Sequence, residues 1–337
     1  MRNDAPKISR RQLLAMLYAS RCTALLYPFR FLGQAYTARE LALAALLLCA
    51  LSVLAEAAGR TAAVGDAPPR GIPAAAVCAA LLFAQADAFA QFRGQLAGVL
   101  ENAQPEAPLV ILSLAALWYA LKKGIEGCAR FSSLCAVFGL VCAGSILLFS
   151  ASKFDAVKLA PAAGVTLPGF AAAFARLLPC PELLLFLVLS PYANERLPFH
   201  SAARFLRVQA AALAAFSVFC AGVLGRLSLL ADTPAADLLS SVAESTVFRR
   251  MDAARTCVFI LLLLVRMIAI SAGMRRVLGA LLPRPDRAAV PAAVALSAAA
   301  AALAFFAASQ RAAPEALGSA LCAAAALYLL IARRRSP

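Results

Sequence analysis

Polar and charged residues divide this chain into ten apolar stretches. Runs such as Leu41–Leu54 and Cys257–Ile270 are too uniformly apolar for amphipathic surface helices, and a helix of ~20 apolar residues spans a bilayer. The pattern predicts an all-α integral membrane protein, expected to be a single polytopic domain over residues 1–337. The predicted transmembrane helices are 12–32, 39–58, 72–93, 107–122, 132–152, 177–194, 204–225, 255–282, 288–308 and 315–333.

Two of these stretches are interrupted. The first span contains Ser20-Arg21-Cys22-Thr23 at its middle, and the sixth has an apolar run, Leu183–Leu189, bracketed by three prolines. Interrupted helices at matching places in two halves are typical of inverted-repeat transporters, which bind their ligand at the breaks. We therefore predict two inverted five-helix repeats, in which spans one to five correspond to spans six to ten and helices one and six are broken.

Composition and charge support the membrane assignment. The chain is 63% hydrophobic, with a mean hydropathy of +0.82 and a formal net charge of +15. A soluble protein with that charge would be a candidate for binding nucleic acid. Here the Lys and Arg residues lie mostly in short loops, with an excess in both tails and in the loops that join even to odd spans. The positive-inside rule explains this distribution, predicts that both termini are cytoplasmic, and leaves no reason to expect a nucleic-acid partner.

No enzyme motif is present, so we predict no catalytic residues, no metal and no cofactor. The chain lacks a nucleophile elbow, a Gly-rich phosphate loop and an H-E-x-x-H sequence. Three cysteines, Cys128, Cys135 and Cys142, recur every seven residues and therefore share one helix face. A packing seam explains them better than a metal site, because the lone His200 is distant in sequence and no carboxylate accompanies them.

Three ionisable residues lie inside predicted spans: Arg21 in span one, Asp87 in span three and Arg266 in span eight. Charged residues at mid-span cost roughly 2.5–3.5 kcal/mol on insertion scales, so each needs a reason. We predict that Arg21 pairs with Asp87 beside a central site lined by helices one, three, six and eight, and that Arg266 presents a second positive charge there. The alternative is that each residue snorkels or forms a buried pair that only fixes packing.

Backbone groups freed at the two breaks could also bind a carboxylate, an amine or a cation. Small polar side chains that bond back into their own helix are the alternative reading. Glu56 and Glu182 lie near predicted span ends, which favours solvation at the interface. The candidate ligand-binding residues are Ala19, Ser20, Arg21, Cys22, Thr23, Gln85, Asp87, Val188, Ser190, Pro191, Arg266 and Ser271.

Four short motifs resemble those of the spore-germination permeases of the GerAB type, which belong to the amino acid–polyamine–organocation superfamily. The opening 8–12 (Ile-Ser-Arg-Arg-Gln) is similar to the family's Ile-Ser-x-x-Gln, and 124–130 is similar to its Gly-(Ile/Leu)-Glu…(Ala/Gly)-Arg stretch. Residues 159–161 and 248–252 fall where the family has Leu-x-Pro and an aromatic-x-Arg-x-Asp element. Helix one departs from the family in lacking glycines near its break. Arg21 there could answer an acidic ligand, or replace a coupling cation with a fixed charge.

The resemblance implies a function. The protein would be the membrane B subunit of a nutrient-germinant receptor in the spore inner membrane, with A- and C-type subunits as its partners. A small germinant, an amino acid above all, would bind in the permease-like site and signal germination. Two alternatives stay open: a secondary active transporter of an amino acid or organic cation, and a scaffold subunit of the receptor that binds no ligand.

Overall fold

The chain folds into long apolar helices. The computed structural model describes residues 8–23, 30–31, 34–59, 71–97, 107–159, 164–177, 181–194, 199–229, 237–238, 246–282, 285–306, 321 and 324–325. Two-residue strands β1 (Arg30–Phe31) and β2 (Gln34–Ala35) pair antiparallel in a small hairpin. The helices are α1 (Arg10–Cys22), α2 (Ala38–Gly59), α3 (Ile72–Ala97), α4 (Ala107–Lys123), α5 (Ile125–Ser150), α6 (Leu167–Leu177), α7 (Pro181–Leu189), α8 (Phe199–Leu224), α9 (Thr246–Leu281) and α10 (Pro285–Phe306).

Several segments are long and apolar enough to cross a bilayer. Within the described part of the chain, five meet that condition: Ile72–Leu96, Ile125–Lys153, Leu167–Tyr192, His200–Leu224 and Thr256–Leu281. Large apolar side chains on α5 and α2 face outward, including Leu140 and Leu46, which are 73% and 67% exposed. An apolar exterior of this kind suits a lipid environment, so the protein is an all-α membrane protein.

The helix bounds differ most from the predicted spans at three places. Helix α1 ends at Cys22, although the sequence predicted a helix to residue 32, and Arg30–Phe31 is a strand. The sixth span begins at Leu167, ten residues before the predicted start, because α6 and α7 together form one interrupted membrane-length segment. Helix α9 begins at Thr246, nine residues early. The predicted tenth span lies almost wholly outside the described residues.

The interruption between α6 and α7 follows from proline chemistry. Pro181 is the first residue of α7, where proline's missing N–H costs nothing and its fixed φ favours a helix start. It cannot continue a helix that arrives from α6, because its ring clashes with the preceding turn. The residues between the two helices, 178–180, lie outside the described part of the chain.

A buried carboxylate connects the start of α6 to the start of α2. Glu40, 2% exposed, accepts hydrogen bonds from the backbone N and Oγ1 of Thr37 at 2.7 and 3.1 Å, and from the same two atoms of Thr166 at 2.8 and 2.7 Å. Thr37 and Thr166 each immediately precede a helix, so one negative charge caps two helix N-termini. Gly169 leaves the space for this carboxylate, since a Cβ there would overlap Glu40.

The remaining helices pack around α9. It contacts α1, α3, α4, α5, α7 and α10, and its interior residues Leu263, Val265 and Met267 are fully buried. Helix α2 packs against α8 and α6 on the other side of the molecule. Helix α1 and the α6–α7 pair therefore lie between the α2–α8 pair and the group formed by α3 and α9.

Candidate functional site

Three helix ends meet at the two breaks. Helix α1 stops at Cys22, where the Oγ1 of Thr23 donates to the Ser20 carbonyl oxygen at 2.7 Å and so satisfies one of the last carbonyls. Helix α6 stops at Leu177 and α7 starts at Pro181. The C-terminal ends of α1 and α6 carry partial negative charge, and the N-terminal end of α7 carries partial positive charge. The junction therefore attracts charged groups of both signs.

Two oppositely charged side chains occupy this junction. Arg21, in the last turn of α1, directs Nη2 toward the Arg176 carbonyl oxygen of α6 at 3.4 Å. Glu182, in the first turn of α7, is 1% exposed and accepts a hydrogen bond from the Ser20 Oγ at 2.7 Å. Arg21 Nη1 and Glu182 Oε2 are 3.9 Å apart. Each charge thus lies at the helix end that favours it.

Arg266 enters the same junction from α9. Its Nη1 donates to the Thr23 Oγ1 at 3.0 Å, and its Nη2 donates to Asp87 Oδ2 of α3 at 3.0 Å. Its Nε is 3.9 Å from Glu182 Oε1. Gln91, one turn beyond Asp87, donates to Asp87 Oδ2 at 2.9 Å and offers its Oε1 to Arg266 Nη1 at 3.4 Å. Helices one, three, six and eight of the predicted numbering therefore meet in one chain of alternating charges, Arg21–Glu182–Arg266–Asp87.

The pairing within this charge network differs from the predicted one. The structure pairs Arg21 with Glu182 and pairs Asp87 with Arg266, whereas the predicted pair is Arg21 with Asp87 and the predicted role of Arg266 is an additional positive charge. Glu182 was assigned to the solvated interface, which was wrong. Once the sixth span is extended to Leu167–Tyr192, Glu182 lies in its interior and its burial follows.

The other predicted site residues make none of the hydrogen bonds or ion pairs described above for the network. Ala19 is fully buried beside Ser20, and Cys22 is half-buried at the end of α1. Val188, Ser190 and Pro191 lie at the far end of α7, ~9 Å or more from Glu182 at 1.5 Å of rise per residue. There the Ser190 Oγ donates to the Leu187 carbonyl oxygen at 3.0 Å. This bond back into its own helix is the alternative to ligand binding that was considered for the small polar residues.

Gln85 and Ser271 form a second buried polar group. The Nε2 of Gln85 lies 3.4 Å from the Ser271 Oγ and 3.5 Å from the Ser297 Oγ, and the two hydroxyls are 3.0 Å apart. All three residues are fully buried and join α3, α9 and α10. Interhelical bonds between polar side chains stabilise helix packing in membranes by about 0.6 kcal/mol each on average. These interhelical contacts support a role in helix packing.

Arg21 and Arg266 differ in how well they are held. Arg266 makes an ion pair with Asp87 and a hydrogen bond to the Thr23 hydroxyl, both at 3.0 Å, while the contacts of Arg21 are 3.4 and 3.9 Å long. The Nε of Arg21 is buried and makes no hydrogen bond to any described group, and this also holds for the Nε of Arg266, so the two arginines differ in the contacts of their terminal nitrogens. A buried donor left without an acceptor costs about 1–3 kcal/mol. Arg21 therefore retains the capacity to bind a carboxylate, whereas Arg266 is already engaged on two sides. No cluster of His, Cys, Asp and Glu suited to a metal ion occurs within the described ranges.

The fold is that of a polytopic helical membrane protein with a charged junction between helix ends. The particular family follows from comparison with known proteins. The chain belongs to the spore permease family, described as spore germination protein, whose model matches residues 96–313. A search of curated proteins found no match to the chain.

Proposed function

We propose that this protein is the membrane subunit of a spore nutrient-germinant receptor, and that it binds a small germinant, an amino acid, at the junction of α1, α3, α7 and α9. The family match supports the role in germination. One observation of the structure supports the ligand site: the buried, incompletely bonded Arg21 guanidinium beside the Glu182 carboxylate, where two helices are interrupted. A carboxylate ligand would complete the bonds of Arg21, and an amine would approach Glu182.

The neighbour relations of the helices support an inverted repeat. Exchanging each span with the one five places later relates the α4–α9 contact to the contact between α10 and α3. The same exchange relates α2–α6 to α8–α1, and α1–α9 to α7–α3. Inverted-repeat transporters place their binding site between broken helices at the repeat interface, where the charge network lies here. We propose that the complete fold has ten spans with both termini cytoplasmic.

The signal would arise from differential binding. A ligand shifts a conformational equilibrium only by its difference in affinity for the two states. Separating α1 and α7 from α3 and α9 would break the contacts of Arg266 with Thr23 and Glu182. A bound germinant that replaces the Arg21–Glu182 contact would change the cost of that separation. We propose that the change passes to A- and C-type subunits in the spore inner membrane.

The first test measures binding by the purified chain. Thermal unfolding of the protein in lipid nanodiscs is recorded against a panel of L-amino acids, sugars and organic cations. One ligand class should raise the unfolding midpoint. At a ligand concentration of 100 times Kd, the expected stabilisation of the folded protein is about 2.7 kcal/mol. Arg21→Met should strongly reduce that shift while the protein accumulates normally.

Arg207→Met is the matched control. Arg207 forms an ion pair with Glu56 at 2.6 Å between α8 and α2, away from the junction, so its loss should leave the ligand shift intact. Spores that lack this chain should fail to release dipicolinate in response to the same ligand class, while a receptor-independent trigger still works. The scaffold reading would be favoured by two results together. No ligand shifts the unfolding midpoint of the purified protein, and an assembled receptor that carries Arg21→Met still binds its germinant normally. Saturable uptake by the isolated protein would favour the transporter.

A further inference from the structure

Arg266 lies deep inside α9, the longest of the helices that the structure describes. It is 3% exposed and sits near the middle of the membrane-length segment Thr256–Leu281. The neighbouring residues on α9, from Leu261 to Ile270, are otherwise apolar. A positive charge at this depth requires compensation from groups on other helices, and those groups are oxygen atoms.

The guanidinium is surrounded by oxygens from three other helical elements. Thr23 Oγ1 and Asp87 Oδ2 each lie 3.0 Å from it, Gln91 Oε1 lies at 3.4 Å and Glu182 Oε1 at 3.9 Å. A hydroxyl, an amide oxygen and carboxylates form the donor set that hard cations take in proteins. In broken-helix transporters, coupling cations are bound beside the unwound segments, and Thr23 immediately follows the end of α1.

We propose that Arg266 is a resident cation that fills a monovalent-cation site, so that the protein needs no Na⁺, K⁺ or Li⁺ to hold its broken helices against α3 and α9. The guanidinium supplies the positive charge. It binds the Thr23 hydroxyl at the end of α1 and the Asp87 carboxylate on α3, and so links both elements to α9. This inference concerns the regulation of the proposed ligand site, but its test needs no ligand. A receptor built this way responds to its ligand without a transmembrane cation gradient.

Arg21 does not share this role. Its contacts are longer, and its acceptors include the Arg176 backbone carbonyl oxygen of α6 together with one carboxylate. Arg266 instead contacts oxygens of four side chains. Removal of Arg266 would leave these oxygens facing one another, with two carboxylates among them. That arrangement creates a demand for a cation, which Na⁺ or a small organic cation can meet.

The experiment measures the thermal unfolding midpoint of the purified full chain in nanodiscs without ligand. Chloride salts of Na⁺, K⁺, Li⁺ and the bulky N-methylglucamine cation are compared at equal ionic strength, with and without millimolar guanidinium. Wild-type protein should unfold at the same temperature, within about one degree, in all of them. Arg266→Ala should be destabilised in N-methylglucamine and should recover by several degrees in Na⁺, K⁺, Li⁺ or guanidinium, as expected when a ligand binds only the folded state.

Two further variants keep the test decisive. Arg266→Lys retains a positive charge and should remain insensitive to the choice of cation. Arg207→Ala removes an arginine from a different ion pair and should show no cation-specific recovery. If Arg266→Ala does not accumulate, the double variant Arg266→Gln with Asp87→Asn removes both members of the pair. This variant should accumulate and respond less to cations than Arg266→Gln does, because one carboxylate is gone.

Two results would overturn the proposal. The first is a wild-type midpoint that depends on Na⁺, K⁺ or Li⁺, because the resident charge would then not replace a bound ion. The second is a folded Arg266→Ala or Arg266→Gln protein that gains nothing from any cation or from guanidinium, or a double variant that responds to cations as strongly as Arg266→Gln does. Neither result depends on the identity of the germinant, so the proposed receptor function stands or falls separately.

Discussion

Replacing Glu182 by Ala tests whether burial or the N···O distance decides how much an ion pair contributes to the stability of this protein. The Glu182 carboxylate is 1% exposed, accepts a hydrogen bond from Ser20, and lies 3.9 Å from the nearest nitrogen of each of two guanidinium groups. Breaking a buried ion pair by removing one partner costs about 3–5 kcal/mol, because the remaining charge is left uncompensated. We expect Glu182→Ala to lower the free energy of unfolding by about that amount.

The Glu56–Arg207 pair provides the comparison. Its 2.6 Å contact is much shorter, but its side chains are 27% and 29% exposed. Exposed pairs contribute about 0.2–1 kcal/mol, so Glu56→Ala should have a small effect even though distance alone ranks it as the stronger pair. Both variants are measured by reversible unfolding in one detergent. An equal or larger loss for Glu56→Ala would refute the reasoning from burial.

A double-mutant cycle identifies the source of the Glu182 penalty. If the penalty arises from an uncompensated Arg21, Glu182→Ala in the Arg21→Met background should cost clearly less than in the wild-type protein. The Arg266 contact remains in both backgrounds, so part of the penalty should persist. Additive losses would show that Arg21 and Glu182 are not energetically coupled, and would remove the physical basis for placing a ligand between them.

Two further substitutions test the close contacts that position the broken helix and its neighbours. Gly169→Ala should destabilise the protein by about 2–3 kcal/mol in the unfolding assay, because the new Cβ displaces Glu40 from charged hydrogen bonds; in a Glu40→Ala background the same change should be neutral or stabilising, since Ala is the better helix former. Gly222→Ala should cost about 1–3 kcal/mol because its Cβ would overlap the ring of Phe154. Gly144→Ala, where nothing lies within 4 Å of the added Cβ, should be neutral or stabilising because Ala is the better helix former, and a comparable loss there would show that steric overlap is not the cause at Gly169 and Gly222.

Residues that the apolar pattern isolates were predictable as a group. Arg21, Asp87 and Arg266 are the ionisable residues that the sequence placed well inside apolar spans, and the structure brings all three into one network. Their pairing was not predictable, because it depends on the rotation of each helix and on side-chain conformation. Glu182 was missed for a local reason. The prolines around it suggested a span boundary, whereas they mark a break inside a longer span.

Two of the family-like motifs have a structural explanation that the sequence did not provide. Ser9 and Gln12 form a reciprocal capping box, in which the Ser9 N–H donates to Gln12 Oε1 at 3.0 Å and the Gln12 N–H donates to the Ser9 Oγ at 3.2 Å. Gly124 precedes α5 with a φ of +89°, a conformation that other residues adopt only at a cost. The spacing in these motifs thus reflects how two helices begin. It does not point to a direct role of these residues in ligand binding.

The positions and tertiary contacts of the motifs were less predictable from the sequence. Residues 248–252 lie in the first turns of α9, ahead of its apolar segment, and the 159–161 motif falls partly outside the described residues. The N-terminal motif has a tertiary role as well. Ile8 bonds to the chain that follows α7, through its N–H to the Tyr192 carbonyl oxygen and its own carbonyl to the Asn194 N–H, both at 2.9 Å. No periodicity in the sequence connects residues so far apart.

The charge network makes a prediction about which ligands the proposed site accepts. Arg21 and Glu182 contact each other across the junction, so a ligand that inserts between them must satisfy both charges. An α-amino acid offers a carboxylate to Arg21 and an ammonium group to Glu182. An analogue without the amine offers Glu182 no ammonium group. An analogue without the carboxylate offers Arg21 no anionic group. Each omission forfeits a charged hydrogen bond of about 1.5–3 kcal/mol, which is roughly a 10- to 150-fold loss of affinity.

Titration of the purified protein with the active amino acid and its two truncated analogues measures this dependence. Both analogues should bind at least tenfold more weakly, and Glu182→Gln should reduce the penalty for omitting the amine while preserving the penalty for omitting the carboxylate. Arg21→Met should do the reverse. The pair of reciprocal changes distinguishes direct contact from a general loosening of the junction, because loosening would weaken all three ligands alike. A ligand whose affinity survives removal of either charged group would place its binding site away from Arg21 and Glu182.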